Sequence, residues 1–162
     1  VHPLHSMHYV EHRLLPEVRA GADAAGRDPS EVDLIFPVFA IPGDTPEARA
    51  PLLERTRTQI GFYGSTPNYS FQFDDLGFEG LTPKLGERLK AGDPAGMADL
   101  ITDEILDHFA VVAPWDDLAD RLTERYAGTA ARLVSYLAEE QIGEDASTAG
   151  RWGEIARAVA AA

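Results

Sequence analysis

Apolar residues recur every fourth position near the start of the chain, at Val10, Leu14, Val18 and Ala22, the spacing of one helical face. Ser6 stands where its hydroxyl can cap that helix, Gly26 with Arg27-Asp28-Pro29 ends it, and Pro16 weakens it locally. The pattern then changes. Residues 32–41 form an almost unbroken apolar run with Val32, Leu34, Ile35, Phe36, Val38 and Phe39, which predicts a strand buried on both faces of a parallel sheet. Pro37 within it predicts a bulge or an edge. Pro42-Gly43-Asp44 turns the chain, and Thr45-Pro46-Glu47 supplies a cap and a first-turn proline for a helix running toward Phe62.

Residues 64–80 read as a long loop rich in Gly, Pro, Ser and aromatics, the kind of segment that is either functional or mobile. Leu85 and Leu89 predict a short helix ending by Gly92. Asp93-Pro94 opens another, with Met97, Ile101 and Ile105 on one face and His108 closing it. After the apolar stretch 109–113, Asp116 or Asp117 can cap a helix carrying Leu118, Leu122 and Tyr126, with Gly128 near its end. Residues 131–138, with Leu133, Val134, Tyr136 and Leu137, predict a second strand. Residues 139–150 read as a polar loop in which Glu139, Glu140, Glu144 and Asp145 form a solvated charge cluster, and 151–162 as a helix with Trp152, Ile155 and Val159 at helical spacing. The organisation is therefore 1–138, a linker at 139–150 and a terminal helix. The class is mostly helical α/β with two or three parallel strands, too few to close a sheet alone.

Composition narrows the partners. The 162 residues suffice for one domain with a sizeable core, and 44% are hydrophobic. Against 14 Lys+Arg stand 27 Asp+Glu, a net charge of -13 that repels phosphate backbones and anionic membranes, so neither nucleic acid nor membrane is an expected partner. Cysteine is absent, which excludes disulfides and thiolate chemistry, and no apolar run approaches the roughly 20 residues of a membrane span. A soluble cytoplasmic protein is the expectation. The opening VHPLHS reads as a loop with no element before it, so the sequence is expected to begin partway through a longer one.

Three sets of residues invite a chemical reading. His8, Glu11 and His12 spell H-x-x-E-H, which on a helix would present two imidazoles and a carboxylate for zinc hydrolysis, with Glu79 or Glu87 as the further acidic ligand; the alternative is a solvated helix face and no metal. Ser65 lies in Y-G-S-T-P, where Pro67 stands in place of the second glycine of a nucleophile elbow, so it reads as a turn residue. His108, with Asp107 or Asp103 nearby, could act as a general base or bind the last carbonyls of its helix.

The segment QIGFYGSTPNY, residues 59–69, resembles a signature of the C-terminal half of luciferase-like monooxygenases. The resemblance runs through VHPLHS (1–6), FAIPGDTPE (39–47), FYGSTPNY (62–69), ILDHFAVVAPWDDLADRL (105–122) and RLVSYL (132–137), and is nearest to the branch that depends on coenzyme F420. It implies the last part of a (β/α)8 TIM barrel. It also implies an oxidoreductase that uses F420 or FMN for hydride transfer or oxygen activation on a small organic substrate, at the C-terminal end of the barrel. No catalytic residue carries over, because much of the ring pocket belongs to earlier strands absent here. The loop positions expected to face substrate or cofactor are His2, His5, Tyr63, Ser65 and Tyr69, with His108 added from the reading above; the alternative is that the tyrosines pack beneath the loop and the histidines are plain loop residues. Weak or no catalysis is expected from these residues alone. A homo-oligomer is expected, since half-barrel edges need cover. A non-catalytic dimerising remnant is the competing reading.

Overall fold

The computed structural model describes residues 1–144 and 147–162. Ser6 caps the first helix as its position predicts, its Oγ accepting from the Tyr9 amide at 3.1 Å. The helical rod runs as α1 (Met7–Tyr9), a π-helical turn (Val10–Leu14) and α2 (Leu15–Ala24). The Leu15 amide donates to the Val10 carbonyl, one residue before Pro16, which has no amide to give, so the widened turn sits where the proline weakens the helix.

Strand β1 (Ile35–Pro42) begins three residues later than the apolar run, because Pro29–Glu31 winds into a 3-10 turn capped by Asp28. It is the central strand of a parallel sheet ordered β2-β1-β3, with β2 (Ala110–Ala113) and β3 (Arg132–Tyr136) on its two sides. Pro37 therefore does not mark an edge strand or a bulge. The reason it is tolerated lies in the register. The Leu34 carbonyl accepts from Ala131, so even-numbered residues of β1 turn their backbone groups toward β3 and odd-numbered ones toward β2. Pro37 faces the β2 side, where pairing starts only at Phe39, and Pro42 faces the β3 side, where pairing stops at Phe39. Neither missing amide interrupts a ladder.

Alternation along β1 divides the interior in two. Phe39 and Ile41 face α3 (Pro46–Gly64), α4 (Phe71–Asp74), α5 (Leu81–Lys90), α6 (Pro94–Asp99) and α7 (Asp103–Phe109). Phe36, Val38 and Ala40 face α8 (Trp115–Tyr126) and α10 (Thr148–Ala161). The expected class holds: a mostly helical chain around a small parallel sheet, an unclosed part of a (β/α) barrel. Within it β3 lies beside β1 rather than β2, the connection through α8 passing over the second face.

Several local expectations change. The 64–80 stretch is wound into a 3-10 turn (Pro67–Tyr69) and α4, because Phe73, fully buried, supplies core while Tyr69 and Phe78 pack partly buried against it. The single helix expected from Asp93 to His108 is two, divided where Thr102 caps α7 by accepting from the Ile105 amide. Helix α8 is capped from outside: Asp44 accepts from the Trp115 amide at 3.2 Å, so Asp116 and Asp117 lie in the first turn instead of at the cap. The polar loop expected at 139–150 contains α9 (Ala138–Glu144), and α10 starts at Thr148. Of the acidic cluster expected there, Glu139 is exposed and Asp145 lies outside the described residues. Among the described residues, no helix is long and apolar enough to cross a membrane.

Candidate functional site

The N-terminal segment, the end of α3 and the 3-10 turn converge on the first face of the sheet. The His2 ring lies 4.7 Å from Tyr63, edge-on, and 4.7 Å from Tyr69. The Tyr63 hydroxyl meets that of Tyr136 on β3 at 2.8 Å, and Gln59, one turn earlier on α3, also reaches it. Tyr136 stands edge-on to Phe39, which fixes the pair against the core. Burial, and next the neighbouring phenol, push Tyr63 up to about 12, so it is a neutral hydrogen-bonding group at any ordinary pH and not a phenolate. The Leu4 amide donates to Nδ1 of His2, leaving Nε2 to carry the proton, and burial lowers the His2 pKa. The result is a half-buried wall of aromatic faces with three polar groups, able to stack on a flat ring and to exchange hydrogen bonds with its edge.

The glycines of the QIGFYGSTPNY segment explain how this wall is held. A Cβ on Gly61 would stand 2.7 Å from Met97, and one on Gly64 would stand 2.4 Å from the Phe73 ring. Both glycines let α3 approach its neighbours closely, which aims Tyr63 at His2 and seats the following turn.

His5 does not join that wall. It is 1% exposed, on the second face, packed on Phe36 at 5.1 Å and Tyr126 at 5.8 Å. Its Nδ1–H donates to the His2 carbonyl at 2.9 Å, and Nε2 accepts from the Tyr126 hydroxyl at 3.0 Å. Burial brings its pKa down to about 4, so the ring is neutral and structural.

The remaining candidates lie apart. The Ser65 hydroxyl donates to the Phe62 carbonyl at 2.7 Å, a turn closure. His108 is exposed at the end of α7, its ring 5.9 Å from Phe78, and no contact joins it to His2, Tyr63 or Tyr69 among the described residues. His8 and His12 stack at 4.2 Å, and Nδ1 of His12 is spent on the His8 carbonyl. Among the described residues no group of three His, Cys, Asp or Glu side chains could hold a metal ion, and neither Glu79 nor Glu87 joins His8 and His12. Sequence reasoning missed Gln59 and Tyr136 as members of the wall. Gln59 sits four residues before Tyr63 on the same helix, a signal that was available; Tyr136 depends on β3 lying beside β1, which no local pattern shows.

Among the described residues, His2, Tyr63, Tyr69 and Tyr136 form one wall and enclose no cavity of their own. They offer stacking faces and neutral hydrogen-bonding groups, while the larger cavities of 460 and 410 Å³ are lined by other residues.

Comparison with known proteins covers His2, Gln59, Tyr63 and Tyr69 and ends short of Tyr136. A profile of the family described as luciferase-like monooxygenase matches residues 1–133. An uncharacterised protein of Mycobacterium bovis and two of Mycobacterium tuberculosis are each 35% identical over 133 residues, 82% of this chain and 39% of theirs. The chain thus spans about two fifths of the length of the curated relatives it matches.

Proposed function

The chain belongs to the luciferase-like monooxygenase family, and from that premise we propose that it supplies the substrate-covering part of an oxidoreductase that uses F420 or a flavin to act on a small organic molecule. The observation that carries this reading is the meeting of His2, Tyr63 and Tyr69, drawn from three separate segments, with Tyr136 behind them. The bound ring would supply the redox chemistry. The residues of this chain would orient it: Tyr69 and His2 by stacking, and Tyr63 by a hydrogen bond from a hydroxyl held by Tyr136 and Gln59. The aromatic packing behind them, Phe39 above all, would keep water from that side of the ring.

An incomplete wall predicts incomplete binding. Titration of F420 or FMN into this chain alone is expected to give no saturable change in cofactor fluorescence or melting temperature. Addition of a polypeptide carrying the preceding part of a mycobacterial relative is expected to create one. Tight binding to the chain alone would overturn the account of a partial wall, and no binding in the mixture would overturn the oxidoreductase reading.

One observation favours the second reading, a self-associating module. Ile35 and Val134 are 42% and 45% exposed on the first face of the sheet, two apolar side chains on neighbouring strands with no helix over them.

A further inference from the structure

On the second face, away from the tyrosine wall, α10 lies over a seat it does not fill. Trp152 and Ile155 anchor it, each 8% exposed, and Val159 packs partly buried one turn further on. Yet a cavity of about 410 Å³ remains beneath the helix, with Ile155, Ala156 and Val159 on one side and Val38, Leu122 and Leu133 on the other. Atoms that face such a space lose contacts there, so the helix is held less firmly than its apolar stripe suggests. The Trp152 indole N–H adds to this, being buried with no hydrogen-bonding partner among the described residues. At the surface, Arg151 reaches Asp44 at 3.2 Å and Asp116 at 3.7 Å, and its guanidinium lies over the Trp115 ring, 4.6 Å from the centroid. All three charged side chains are open to solvent, where such pairs are individually weak.

We propose that α10 is a strap that lifts from the second face as a unit while the sheet and α8 stay folded, with Arg151 as its latch. Elements with few or imperfect buried contacts open at lower free energy than the core they cover. Lifting α10 gives up the burial of Trp152 and Ile155 and the edge-on contact of Trp152 with Trp115 at 5.5 Å, but it returns the indole N–H to water. His5, Phe36 and Tyr126 keep their mutual contacts, since α10 supplies none of those rings. The opening is therefore an excursion of the native state, and global unfolding stays a single transition. While it lasts, the apolar surface of Val38, Leu122 and Leu133 faces water. That surface lies inside the span matched by the family and the strap lies beyond it, so the strap does not rest on the flavin or F420 reading.

Hydrogen exchange followed by NMR tests this. The chain has two tryptophans, so their indole N–H signals can be assigned by the Trp152→Phe variant. The Trp152 indole has burial and no hydrogen bond to protect it, so its exchange reports the lifting of the helix and not the fraying of its backbone. The α10 amides and this indole are expected to share one opening, at least about a hundredfold more frequent than the one that exposes the β1 amides. Their exchange should respond only weakly to urea, because the opening uncovers little surface, whereas that of β1 should respond steeply. Arg151→Gln is expected to speed the exchange of α10 and the indole roughly two- to fivefold, the worth of an exposed ion pair, and to leave β1 unchanged. Exchange of α10 and β1 through one common opening overturns the proposal. Fast α10 amides with a protected Trp152 indole also overturn it, by marking a helix that frays while its apolar stripe stays seated. So does an Arg151→Gln variant in which α10 exchanges no faster than before.

Discussion

The two faces of the sheet are built from alternate residues of the same strand, yet they hold their histidines in opposite ways. On the first face, Phe39 and Ile41 meet α3 through α7, and His2 is half-buried beside Tyr63, whose hydroxyl bonds that of Tyr136. On the second, Phe36, Val38 and Ala40 meet α8 and α10, and His5 is sealed with both nitrogens engaged. The two rings are three positions apart in sequence. The difference is one of desolvation: the same side chain keeps one side toward water where it is half-buried, and is a packing element where the core has replaced water on every side.

If the two faces form one cooperative core, damage to either must lower a single unfolding transition. Phe36→Ala and Phe39→Ala remove rings that are both fully buried, one against His5 and Tyr126 and the other against Tyr136. Each is expected to cost about 3–5 kcal/mol in urea unfolding. Two separable transitions in either variant would show the faces to be independent and break the comparison.

The next effect belongs to His5 alone. Its pKa falls from 6.5 in the unfolded chain to about 4 when folded, so between those values the unfolded state binds more protons and stability rises with pH. The contribution is complete above pH 6.5 and is lost as the pH falls toward 4, about 3 kcal/mol in all. Urea midpoints across that window should show the slope, and His5→Asn should flatten it. A slope that survives the substitution would move the effect to another group. The His2 pKa is lowered in the same direction, by burial that is only partial, so its part in the slope is smaller.

How far the sequence reveals this contrast depends on the distance over which each feature is set. The capped first helix, the buried strand and the helix after Thr45 follow from local patterns, and so does the family signature. The winding of residues 64–80 does not, because Phe73 and Phe78 read as loop aromatics until α5 and α7 are placed around them. The same holds for Pro37: a proline in an apolar run signals an edge, and only the staggered pairing of β2 and β3 shows how a central strand accommodates it. Of the residues in the wall, His2, Tyr63 and Tyr69 are all named from the family resemblance, and their rings do meet. His5 was expected beside them and is on the other face, because no sequence period governs which side of the sheet a loop residue meets.

The smallest expected effect sharpens the comparison most. Tyr63 and Tyr136 are each half-buried, so removing one hydroxyl leaves the other able to turn to water, and no fully buried group is orphaned. Tyr63→Phe and Tyr136→Phe are each expected to lower stability by about 0.5–1.5 kcal/mol. The double variant should cost less than the sum, since one bond joins the pair. A loss as large as that of Phe39→Ala would mean that the first face is sealed as tightly as the second, and the case for it as a surface open to a ring would go. A small loss in stability joined to a clear loss of cofactor binding in the reconstituted mixture would instead place the worth of the hydroxyl pair outside the fold, in what the wall is built to touch.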